Sequence, residues 1–66
     1  MQIRLNGEQS VVDDAINLAQ LVAQLELSGK RIAIEVNDEL IPRSQHMQHQ
    51  LSEGDRVEIV QAIGGG

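Results

Sequence analysis

Leu18, Leu21, Val22 and Leu25 fall at i, i+3, i+4 and i+7, and they form the one apolar stripe of helical period in this chain. Almost everything else alternates polar and apolar, the period of a strand with one covered face. One amphipathic helix is too little for a bundle. A hairpin, a helix and then further strands leave one economical solution: a small mixed sheet curled around that helix.

The elements follow in order. Gln2-Ile3-Arg4-Leu5-Asn6 reads as a strand, and Asn6-Gly7 is a type I′ hairpin signal, because that turn needs positive φ at both central positions. Glu8 to Val12 is the return strand, broken by Asp13-Asp14. Asp14 or Asn17 caps the helix start, and Ser28-Gly29 ends it with a left-handed glycine. Arg31 to Asn37 alternates again, Asn37-Asp38 is a turn, and Glu39-Leu40-Ile41 is a short strand. Pro42 cannot donate to a ladder, which places that strand at an edge. Ser44 to Leu51 is polar with room for one helical turn, and Ser52-Glu53-Gly54-Asp55 turns into a last strand, Arg56 to Ile63. The expected class is α+β in the order ββαβ(β)β: four to five strands on one helix, one domain over residues 1–63, and a flexible tail at 64–66.

The 66 residues include no cysteine and no Phe, Tyr or Trp, so the core must be aliphatic and nothing covalent staples it. Ile3, Leu5, Val12, Leu18, Leu21, Val22, Leu25, Leu27, Ile32, Ile34, Val36, Ile41, Leu51, Val57 and Ile59 supply it, with Met47 filling a gap. A chain this small buries only about 60% of its unfolded surface, so its stability is modest. The formal net charge of −5, five scattered basic residues and no aromatic to stack a base argue against nucleic acid. That charge favours solubility and steers the chain towards a basic partner. No apolar run approaches a membrane span, no leader pattern opens the chain, and the expected compartment is the cytoplasm.

Gly64-Gly65-Gly66 directly follows the last strand-like run. Without Cβ atoms, such a segment can lie extended in a channel too narrow for other residues. From Ile63 to Gly66 the extended reach is roughly 13 Å. A carboxylate at the tip of such an arm is a chemical handle. Along the strands, alternation points Ile3, Leu5, Ile32, Ile34, Val36, Val57 and Ile59 to the helix. It points Arg4, Ala33, Glu35, Arg56, Glu58, Val60 and Ala62 outward. Ala33, Val60 and Ala62, with Ile63 beside the tail and Arg4 and Arg56 at the rim, are a candidate docking patch. Scattered apolar side chains are also ordinary on a surface, and the sequence leaves both readings open.

No side chain suggests catalysis. His46 and His49 have no third ligand near them and read as surface histidines. Asp13-Asp14, and Glu53 with Asp55, read as turn and cap residues. Arg43 either pairs with an acidic neighbour or faces a partner. No metal or bound cofactor is expected.

Three segments together carry a family likeness: Val36-Asn37-Asp38-Glu39-Leu40-Ile41-Pro42-Arg43, Leu51-Ser52-Glu53-Gly54-Asp55-Arg56-Val57-Glu58-Ile59-Val60, and Ala62-Ile63-Gly64-Gly65-Gly66. In this order and at this length the whole chain resembles the ThiS family of sulfur carriers. It departs from the pattern at Asp13-Asp14-Ala15-Ile16, where relatives often carry Gly and Thr, which touches capping more than chemistry.

The resemblance implies a β-grasp fold like that of ubiquitin and a carrier, not an enzyme. It implies that Gly66 is adenylated at its carboxylate by a ThiF-like adenylyltransferase, with Gly64 and Gly65 in that enzyme's channel. Sulfur drawn from cysteine by a desulfurase-type donor then replaces AMP to give a thiocarboxylate, which a ThiG-like thiazole synthase accepts. The acyl-AMP and thiocarboxylate are transient covalent states of the chain. The alternatives are a sister carrier resembling the small subunit of molybdopterin synthase, and a ubiquitin-like interaction module with an inert tail.

Overall fold

The computed structural model describes residues 1–61; Ala62, Ile63 and Gly64 to Gly66 lie outside the described residues. Two strands open the chain, β1 (Gln2–Leu5) and β2 (Glu8–Val11). Asn6 at φ 51° and Gly7 at φ 84° give the turn between them both of the positive angles expected there. A loop leads to helix α1 (Leu18–Gln24), and then come β3 (Ile32–Val36) and β4 (Glu39–Ile41). A 3-10 turn over Arg43–Gln45 and a loop precede β5 (Arg56–Gln61).

Asn17, not Asp14, caps α1. The Gln20 backbone N–H donates to Asn17 Oδ1 at 2.7 Å, and the Asn17 N–H donates to Gln20 Oε1 at 2.9 Å, a reciprocal capping box. Asp14 instead accepts from the Met1 amino group at 3.0 Å.

The other end of α1 differs from expectation. The helix stops at Gln24, before Ser28-Gly29. Glu26 takes the left-handed angle, φ 59°, its N–H donates to Ala23 O at 3.1 Å, and Leu27 N–H donates to Val22 O at 3.0 Å. These two bonds make a Schellman closure with glutamate where glycine is usual. Leu27 packs back on the core once the chain reverses there, whereas another helical turn would carry it away.

The strands form one mixed sheet in the order β2-β1-β5-β3-β4, with β1 and β5 parallel and the other neighbours antiparallel. Ile3, Ile34, Val36, Ile41 and Val57 point from the sheet onto Leu18, Leu21 and Val22 of α1 and are buried with them. Ile16 and Leu51 complete this aliphatic core. Ile16 escaped the sequence reading because it lies in an aperiodic loop. Its carbonyl accepts from Leu51 N–H at 2.8 Å, which pins the two loops together across the end of the core. Leu25, expected inside, is the C-cap of α1 and is exposed.

Two further expectations are corrected in the loop after β4. Met47 is 77% exposed and does not fill the core, whereas His46 is only 8% exposed and is not a surface histidine. The 3-10 turn directs His46 inward, where Nε2 donates to the Ile41 carbonyl at 3.1 Å and the His46 carbonyl accepts from Ala19 N–H at 3.2 Å. With both polar ends satisfied, the imidazole body fills the place assigned to the thioether.

Candidate functional site: the uncovered sheet face and the strand that leads to the tail

β5 lies in the middle of the sheet. Leu5 pairs with Val57 on one side, and on the other the register with β3 runs unbroken from Val36↔Val57 to Ile32↔Gln61. Two asparagine side chains reinforce its hold: Asn6 Oδ1 accepts from Ile59 N–H at 2.8 Å, and Asn37 Oδ1 accepts from Arg56 N–H at 3.0 Å. Asn37 also donates through Nδ2 to Asp55 Oδ1 at 3.1 Å. Asp55 Oδ2 accepts from Ser52 N–H at 2.8 Å, and Glu53 accepts from Gln2 N–H, so these carboxylates serve turns, as the sequence suggests. The chain therefore reaches residue 62 from a strand fixed along its length. Both asparagines occupy left-handed turn positions, φ 51° and 52°. Sequence reasoning read them as turn formers and missed their second task, because the acceptor role depends on a strand remote in sequence.

The helix covers one face of the sheet, and the other stays uncovered. Residues paired across strands share a face, so the register fixes what that face presents. Arg4 stands opposite Arg56, Glu58 opposite Glu35, and Val60 opposite Ala33. Leu40, opposite Glu35 on β4, extends the apolar surface and is 61% exposed, against 64% for Val60. Leu40 was absent from the expected patch, because three alternating residues before a proline give too little signal to assign a face. Arg4, Arg56, Ala33 and Val60 stand together where alternation places them. Ala62, Ile63, Gly64, Gly65 and Gly66 lie outside the described residues.

The guanidinium groups have defined contacts. Arg56 Nη2 pairs with Asp38 Oδ2 at 3.2 Å, and Arg4 Nη1 donates to the Gly7 carbonyl at 3.0 Å. Arg43 pairs with no acidic neighbour among the described residues; its Nη2 donates to the Lys30 carbonyl at 2.8 Å. Arg31 and Arg43 wall a hollow of about 330 Å³ floored by Ile32, Ala33 and Val60, at the end of β5 nearest the tail. Among the described residues no three His, Asp or Glu side chains gather as a metal site, and no helix is long and apolar enough to cross a membrane. The described surface thus offers a docking face and a rigid mount for a terminal segment, and no constellation of nucleophile and base.

Comparison with known proteins gives a consistent picture. The family model described as "ThiS family" matches residues 2–66. The sulfur carrier protein ThiS of Escherichia coli is 30% identical over 66 residues, covering all of both chains. A thiazole synthase of Paramagnetospirillum magneticum is 33% identical over 66 residues; this chain spans 20% of that protein's length. Among solved structures, the crystal structure of the thiamine biosynthesis protein ThiS from Geobacter metallireducens superposes with a TM-score of 0.86 at 29% identity, covering all of both chains. The mixed sheet on one helix is therefore the β-grasp of these proteins, as the sequence led one to expect.

Proposed function

The chain belongs to the ThiS family, and from that premise we propose that it is a sulfur carrier of thiamine biosynthesis, bearing sulfur as a thiocarboxylate on Gly66. Full-length similarity to a protein named as a sulfur carrier carries this reading. The central position of β5, which leads straight into the glycine segment, supports it.

The chemistry asks little of the folded body. A carboxylate is a poor electrophile because its charge is delocalised. Attack of the Gly66 carboxylate on the α-phosphate of ATP expels pyrophosphate and leaves an acyl-AMP. A sulfur nucleophile then attacks the acyl carbon, and AMP leaves. The resulting thioacid is ionised at neutral pH and holds a soft, nucleophilic sulfur in place of free sulfide. All catalytic groups belong to the activating enzyme, so the chain is a carrier and not an enzyme. Its partners in this reading are a ThiF-like adenylyltransferase, a desulfurase-type donor and a ThiG-like thiazole synthase. Thiazole synthases that contain a segment like this chain favour the last of these.

Gly64 and Gly65 pass through the activating enzyme's channel while the folded body stays outside. Ordering them costs about 1–2 kcal/mol per residue of backbone entropy, which docking must offset. Val60 and Ala33, rimmed by Arg4 and Arg56 and continued by Ala62 and Ile63, provide that docking.

The test is intact-mass analysis after incubation with ATP, the cognate adenylyltransferase and a sulfur donor. An oxygen-for-sulfur exchange localised to Gly66 is expected. An unchanged mass, with the enzyme active on another carrier, would make the tail inert and favour the interaction-module alternative.

A further inference from the structure

We propose that the uncovered sheet face is a basic docking surface built for an acidic protein surface, although the chain as a whole is acidic. The inference rests on the carrier reading, and the partner meant is the activating enzyme. Net charge alone, −5, suggests the opposite, a basic partner. The fold redistributes that charge. Of the five basic side chains, Arg4 and Arg56 stand side by side on β1 and β5, and Arg31 and Arg43 wall the hollow beside Ala33 and Val60. Lys30 is the remaining one. The acids on this side are Glu35 and Glu58 on the strands and Asp38, paired with Arg56. The face thus carries four guanidinium groups against three carboxylates, while the rest of the molecule carries one lysine against seven.

The charges are also banded along β5. The Arg4–Arg56 pair lies at one end, Glu35 and Glu58 cross the middle, Val60 and Ala33 follow, and Arg31 and Arg43 lie at the end nearest the tail. Guanidinium pairs at both ends fit carboxylates at two separated places on a partner. The two glutamates, directly opposite each other, disfavour an acidic group in the middle. Such a pattern can be matched in only one direction along the strand. It therefore orients the body so that the tail points one way, and it acts chiefly on encounter rate and register. An acidic remainder repels the same partner, which suppresses docking through the helix side.

The experiment measures association with the adenylyltransferase encoded in the same genome, by stopped flow, across ionic strengths. Arg4→Gln with Arg43→Gln alters the face. Gln24→Glu with Gln48→Glu, both exposed and remote from it, gives the same net charge and serves as control. Wild-type association should slow as salt rises. At low salt the face variant should associate about tenfold more slowly, with the control close to wild type. Association that accelerates with salt, equal slowing of both variants, or slowing of neither overturns the proposal. If loss of the Arg43–Lys30 contact lowers the melting temperature, Arg4→Gln alone, in a fully exposed position, reads the same effect at reduced size. Sulfur transfer by wild type alongside unimpaired association of the face variant defeats this inference and leaves the carrier reading intact. Failure of wild type to acquire sulfur defeats the carrier reading, while the association rates still report on the face.

Discussion

At the scale of single residues, stability and chemistry are separate properties of this chain. Leu21 is almost completely buried between α1 and the sheet. Leu21→Ala removes that packing and leaves a cavity, which costs about 2–5 kcal/mol. In a domain this small, denaturant titration should show a large fraction unfolded in water, and activity would fall without any change at the tail. Gly66→Ala is the converse. It adds one methyl group beside the proposed reactive carboxylate and touches no described contact. Thiocarboxylate yield by intact mass should drop while the melting curve is unchanged; undiminished yield would remove the narrow-channel argument. His46 shows how far residue-level reasoning reaches. Its polarity suggests the surface, yet a carbonyl acceptor on Ile41 makes an interior position cheap, and no pattern in the sequence announces that acceptor.

At the scale of elements, the hairpin and the start of the helix were legible because their signals are local. Asn6-Gly7 takes its two positive φ values from its own residues, and the Asn17–Gln20 box closes within one turn. Asn17→Ala should cost about 1 kcal/mol by thermal unfolding, since the Gln20 N–H loses its acceptor. The helix end was misread because Ser28-Gly29 is a good local stop, but the core needed Leu27 earlier. Glu26 bears the cost of that earlier reversal at φ 59°. Glu26→Gly relieves a side chain of the left-handed penalty and should stabilise the domain by up to about 1 kcal/mol, part of it offset by the entropy glycine adds to the unfolded chain. A lower melting temperature for this variant would show that the angle is not strained.

At the scale of the whole molecule, the sheet order matters most. Placing β5 between β1 and β3 puts the last strand where it is held from both sides, and gathers the outward side chains of four strands on one face. Val60→Asp places an unpaired carboxylate at the proposed contact. It should weaken binding to the adenylyltransferase by roughly tenfold or more in calorimetry, with little change in stability because Val60 is already exposed. Unchanged affinity would move the docking surface elsewhere.

The period of one helix, the alternation of the strands, the absence of aromatic residues and cysteine, and the glycine run are all written in neighbouring residues. They determined the class of fold, an aliphatic core and the candidate handle at position 66. Which side chains share a face across strands depends on register between segments as far apart as β1 and β5, and register is set by burial of the whole core. The inward turn of His46, the early reversal at Glu26, the addition of Leu40 to the patch and the gathering of arginines on one side of an acidic chain were therefore decided only by tertiary structure.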